Sequence, residues 1–147
     1  MNTLTSLRAA TRRGFTLVEL AVVIIIIGVL AAFAVPRFLD SVERSKAAEA
    51  FNYLSAVRAA QERYQVQQGT YADAVGDLDI QLSTPKYFTV GAAITAGSTS
   101  DLENSWTLTL TRTGASAGYG DYTVIFNDQG FDAVTSNIDD AINPTLQ

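Results

Sequence analysis

The chain has 147 residues, 48% of them apolar, and ten basic against fifteen acidic side chains, a net charge of −5 at neutral pH. That length accommodates one small domain and a membrane-length helix rather than several domains. With no cysteine and no histidine, disulfides, thiolate or imidazole metal sites, and Cys-His or Ser-His catalysis are excluded.

Charge is unevenly placed along the chain. The first fourteen residues hold three arginines and no acid, and the stretch from Arg37 to Gln68 holds five basic and four acidic residues. From Gly69 to Gln147, Lys86 and Arg112 stand against ten acids. Such a surface offers no basic patch, so direct nucleic-acid binding is not expected. Acidity of this kind keeps an exported domain soluble.

In chain order, Arg8, Arg12 and Arg13 precede Gly14, and then 21 residues from Phe15 to Val35 carry one ionisable side chain, Glu19. At about 1.5 Å per helical residue this stretch crosses the roughly 30 Å hydrocarbon core of a bilayer. A basic flank stays on the cytoplasmic side of such a segment. The same pattern also fits an exported binding protein whose signal is cut after Ala34, because Ala32-Phe33-Ala34 has the small-x-small form of a signal-peptidase site. Glu19 separates the two readings. A carboxylate in hydrocarbon costs a few kcal/mol and calls for a partner. No Lys or Arg lies between Arg13 and Arg37, and one helical turn around Glu19 reaches only Phe15, Thr16, Val22 and Val23. A cut between Gly14 and Phe15 would create an α-amino group four residues before Glu19, and an amine and a carboxylate in apolar surroundings favour pairing.

These residues, a short basic leader ending in Gly14, then Phe15-Thr16-Leu17-Val18-Glu19-Leu20 and an unbroken aliphatic run, resemble a type IV prepilin with a short leader. The resemblance is strong from Arg13 to Pro36 and continues loosely to about Tyr71. It implies cleavage after Gly14 by a prepilin peptidase and N-methylation of Phe15. It also implies that Glu19 pairs with the N-terminal amine of an adjacent subunit during assembly, and that the segment between Gly28 and Pro36 loosens in the fibre. The implied partners are other copies of the chain, minor pilins, and an inner-membrane platform with its ATPase. The precursor would sit in the inner membrane and the product in a surface filament for adhesion, motility or uptake. Within the family, the alternative is a pseudopilin or minor pilin of a type II secretion or DNA-uptake system. Many members close a C-terminal loop with a cysteine pair, so this chain must fasten its tail by packing or hydrogen bonds.

Residues 1–14 are read as a leader removed on maturation, 15–35 as the membrane and filament-core helix, and 36–68 as its amphipathic continuation. Gly28 and Pro36 weaken the helix locally, Pro36 by its missing N–H. Ala47, Ala50, Phe51, Leu54, Val57 and Tyr64 recur at helical spacing and make one stripe that can hold a sheet. Asp40, Arg44, Lys46, Glu49, Arg58, Glu62 and Arg63 lie largely off it, with Asp40–Arg44 and Arg58–Glu62 spaced as i,i+4 pairs. Gly69 is placed to stop the helix, giving a rod of about 80 Å from Phe15.

Residues 69–86 read as an irregular loop. Asp73, Asp77 and Asp79 in it lack EF-hand spacing, so no metal is expected. Residues 87–135 read as an antiparallel sheet of three or four strands: Tyr87–Thr95; Ser105–Arg112, with Trp106, Leu108 and Leu110 on one face; Asp121–Asn127; and a short fourth at Phe131–Thr135. Residues 114–120, GASAGYG, form a flexible hairpin loop, and the tail, 136–147, is loosely held. The predicted fold is an α+β ladle with the helix as handle. The predicted function is a structural subunit, not an enzyme, with no cofactor.

Overall fold

The computed structural model describes residues 14–146; the predicted leader, apart from Gly14, and the last residue of the predicted tail lie outside them. The chain divides into two units between Pro36 and Arg37. A single helix, α1, runs from Leu17 to Gln68 and is helical through both Gly28 and Pro36. Thr16 opens it: its Oγ1 accepts a hydrogen bond from the Glu19 N–H at 3.1 Å, the N-cap geometry. Gly69, with φ +80°, closes it, its N–H donating to the Gln65 carbonyl at 2.8 Å. This is the left-handed stop that glycine adopts without steric cost.

In the second unit, the part of α1 after Pro36 packs on a sheet of five antiparallel strands: β1 (Phe88–Val90), β2 (Thr95–Ala96), β3 (Trp106–Arg112), β4 (Thr123–Asn127) and β5 (Gly130–Phe131). The order is β1-β3-β4-β5, with β2 also paired to β3. β3 is the central strand because its alternation is cleanest. Trp106, Leu108, Leu110 and Arg112 are buried while the threonines between them are half-buried. The helix side of this core is Ala47, Ala50, Phe51, Leu54 and Val57, with Tyr53 and Ala60 beside them and Tyr64 at its margin.

Several sequence expectations are corrected. The predicted strand Tyr87–Thr95 is broken in two. Val90 faces Leu110 and Thr95 faces Thr107, so five steps on one side span three on the other and two residues loop out. Ile94 is drawn from the ladder into the core, and its N–H donates to the Asp73 carbonyl at 2.9 Å. The predicted fourth strand stops at Phe131, because the Asp132 carboxylate accepts the N–H groups of Val134 and Thr135 and turns the chain. The hairpin loop 114–120 is not free: Tyr119 donates to Asp40 at 2.8 Å, and the Ala115 carbonyl accepts from Arg112 at 2.6 Å.

The tail is also held. Ile142 is fully buried and Asn143 nearly so. Arg44 donates to the Ala141 carbonyl in place of the expected Asp40 pairing, while Arg58 and Glu62 do meet, at 3.4 Å. Packing, this charge-assisted bond, and hydrogen bonds of Ser136 with Ile125 and of Asn137 with Thr123 thus fasten the tail. Ile142→Ala is expected to destabilise the domain by about 2–4 kcal/mol. The check is urea unfolding of the full chain in detergent, followed by the fluorescence of Trp106, the single tryptophan and fully buried.

Candidate assembly surface

In the first unit, the large apolar side chains from Phe15 to Val35 are 43% to 85% exposed. The most apolar eighteen-residue window of α1 has no buried residue. A surface of this size is far beyond the scattered apolar residues a soluble domain tolerates, and it needs either lipid or protein against it. Gly14, Phe15 and Glu19 lie together at the start of the helix, ahead of Gly28 and Pro36 within it. Among the described residues the Glu19 carboxylate makes no hydrogen bond or ion pair; only its backbone N–H is engaged, by Thr16. Thr16-Leu17-Val18-Glu19 also has the spacing of a capping box.

In the second unit, sequence reasoning missed the buried polar residues on the helix stripe. Glu43 and Gln61 are both fully buried. They lie eighteen residues apart, five full turns, and so share one azimuth at the middle of the stripe. Gln61 is satisfied by backbone: its amide donates to the Ala72 carbonyl at 2.9 Å and accepts the Ala72 N–H at 2.8 Å. This clamp ties the start of the loop to the helix.

Glu43 is satisfied by side chains. Arg112 reaches it from β3 through Nε to Oε1 at 2.5 Å and Nη2 to Oε2 at 3.1 Å, Lys46 Nζ donates to Oε2 at 3.0 Å, and Tyr122 donates to Oε1 at 3.0 Å. Burial by itself would raise the Glu43 pKa, but the hydrogen bonds from Arg112, Lys46 and Tyr122 and the charge of Arg112 outweigh it, and the carboxyl is held below its usual range. The hydrogen bond to Glu43 raises Arg112 in turn. Burial first, and then the charge of Glu43, pushes the Tyr122 hydroxyl up. Tyr119 is pushed up to about 12 by its hydrogen bond to Asp40. The combination of an acid centred on the apolar stripe and Arg112 continuing the buried face of β3 was the signal available in the sequence. Among the described residues, no three His, Cys, Asp or Glu side chains converge as metal ligands.

Because the Glu43 pKa is depressed on folding, its stabilisation is complete above the ordinary value of 4.5 and is lost as pH falls through the folded-state value. The unfolding free energy is therefore expected to fall steadily on acidification below that value. Glu43→Ala, which strands Arg112 without its partner, is expected to cost about 3–5 kcal/mol at neutral pH and to flatten that acid dependence. Urea titrations of both proteins across the acid range check this.

Comparison with known proteins places these features. A family model described as "Type IV minor pilin ComP, DNA uptake sequence receptor" matches residues 36–123, and one described as "Prokaryotic N-terminal methylation motif" matches residues 10–35. The chain is 42% identical over 66 residues to the type IV major pilin protein PilA of Myxococcus xanthus, covering 45% of this chain and 30% of that one. It is 52% identical over 48 residues to the type IV narrow pilus major component PilA5 of Thermus thermophilus, covering 33% and 41%. It is 58% identical over 38 residues to the type IV major fimbrial protein FimA of Dichelobacter nodosus, covering 26% and 24%. The matched stretches thus span well under half of these relatives. The chain belongs to the type IV pilin family, matching over more than half of its length the model that describes the minor pilin ComP.

Proposed function

We propose that the chain is a structural subunit of a type IV pilus. The observation that carries this reading is the exposed apolar surface of residues 15–35, continuous on one helix with a domain built to stay in water. The precursor is held in the inner membrane by that segment. A prepilin peptidase cuts it after Gly14, and Phe15 becomes the N-methylated first residue. Glu19 then pairs with the amine of a neighbouring copy. In a medium of low dielectric an unpaired carboxylate is costly, so subunits out of axial register are disfavoured. Loosening between Gly28 and Pro36 lets the helix accommodate its neighbours. Assembly is carried by a membrane platform and its ATPase, with minor pilins, and the subunit's own part is structural rather than catalytic.

The second reading, a minor pilin of DNA uptake, is favoured by the description of the matched family model. Direct contact with DNA fits the surface poorly. Beyond Gln68 the ten acids face two basic residues, and one of these, Arg112, is buried against Glu43, which leaves Lys86 exposed. A contribution to uptake would then come through the filament rather than through phosphate contacts by this subunit.

Glu19→Ala is expected to leave processing intact, with a mature mass starting at methylated Phe15, and to abolish fibres seen by electron microscopy of cells carrying the variant. Normal fibres from that variant would sink the pairing role. A mature chain starting at Val35 would remove the apolar helix and the whole proposal with it.

A further inference from the structure

Two shallow grooves lie on one face of the second unit, where the loop 69–86 runs beside α1. The lower, about 330 Å³, is lined by Val42, Ser45, Lys46 and Glu49 of the helix and by Tyr87. The upper is lined by Ala60, Arg63, Tyr64 and Gln67 of the helix, with Asp77 and Asp79. Each helix residue of the upper set follows one of the lower set by eighteen positions. The two grooves therefore share an azimuth and are separated by five turns, about 27 Å.

The groups free to meet a partner differ in sign: at the lower groove Lys46 is paired with Glu43 and the Glu49 carboxylate accepts the Lys86 N–H, which leaves the Lys86 ammonium, whereas the upper groove presents Asp77. The two lysines of the chain, Lys46 and Lys86, converge on the Tyr87 ring, 5.3 and 5.6 Å from its centroid. Lys86 is exposed and makes no ion pair among the described residues. In the upper groove the Asp77 carboxylate makes no hydrogen bond among the described residues, and Asp79 accepts one from Gln81. Arg63, the cation beside them, is turned to the carbonyls of Ala59 and Asp79.

We propose that the lower groove receives the Asp77–Asp79 turn of a second copy of this chain, its acids set against Lys86. The inference rests on the pilus-subunit reading above. Copies drawn from one bilayer into a fibre run parallel, and a copy facing the first and displaced by about five turns brings the acidic turn opposite Lys86. Tyr87 restrains the Lys86 ammonium through cation–π attraction, so less side-chain freedom is lost on contact. The two copies use different surfaces, so the pair keeps one groove on one copy and one acidic turn on the other unoccupied, and the contact propagates as an open helical array. Domains of net negative charge repel one another. A contact that sets cations against acids selects one axial offset among those the apolar helices alone would permit.

The absence of native cysteine makes the test direct. Lys86→Cys and Asp77→Cys are placed in one chain and expressed in the cell that makes the protein, followed by mild oxidation and non-reducing electrophoresis. The Lys86 N–H bonds to Glu49 and Asp77 lies beside Arg63 and Gln67, so the two sites are about 20 Å apart along the helix. A disulfide within one chain, which needs a Cα separation under about 7 Å, is thereby prevented. The expected result is a ladder of dimers, trimers and higher multimers, with either single variant remaining monomeric. Monomers from double-variant chains that formaldehyde still cross-links would overturn the contact. So would dimers from Lys86→Cys alone, which would mean that lower grooves face each other. Charge reversal gives a second arm: Lys86→Glu is expected to lower fibre yield several-fold, and Asp77→Lys in the same chain to restore it. Unchanged fibre yield with lost binding of double-stranded DNA would assign the groove to nucleic acid and overturn the proposal. Failure of the pilus-subunit reading itself shows differently, as wild-type chains that formaldehyde leaves single, and the groove contact falls with it.

Discussion

Glu43 sits at the middle of the helix stripe that the sheet covers, where an ionised carboxyl costs several kcal/mol unless partners surround it. Arg112, Lys46 and Tyr122 supply those partners, and each comes from a different place: the central strand, the helix itself, and the residue leading into β4. The geometry closes at one axial position of the sheet on the helix, so the ion pair sets register as well as neutralising charge. A sheet displaced by one residue pair would leave two charges buried without partners. Around this point the neighbouring loop is drawn in, since Arg112 also holds the carbonyls of Tyr87, Thr113 and Ala115.

Five turns further along the same stripe, Gln61 repeats the device without charge. Its amide copies the pairing of a β-strand with Ala72. The helix therefore carries two polar anchors on one line, one fixing the sheet and one fixing the loop that leads to it. Between them Leu54 and Val57 contribute apolar burial, which is stronger in sum but does not specify position. A domain without disulfides obtains its definition from these anchors and from the tail seated by Ile142.

The two units answer to different solvents. Residues 15–35 satisfy their backbone within the helix and leave their side chains uncovered, a state stable only in lipid or against other apolar helices. The second unit gathers most of its large apolar residues into a buried core and exposes most of its acids. This division explains how one helix can begin in a membrane and end as the support of a water-facing sheet.

Much of this could be read from the residues in order. The apolar run with its lone Glu19, the change to a stripe after Arg37, the stop at Gly69 and the alternation of Trp106, Leu108 and Leu110 follow from local periodicity and backbone preference, which the chain carries at every position. The split of the first strand, the seated tail and the fixed hairpin loop could not, because each is decided by a contact made from far away in sequence: Ile94 with Asp73, Ala141 with Arg44, Tyr119 with Asp40. Glu43 and Arg112 fall between the two cases. Each residue's face was set by periodicity, but a charged residue on a buried face is paired only by tertiary proximity, and 69 positions separate the two. The sequence by itself determined which surfaces face water, lipid or protein. Only the folded chain decided which polar groups meet inside, because that depends on distance in space and not on distance along the chain.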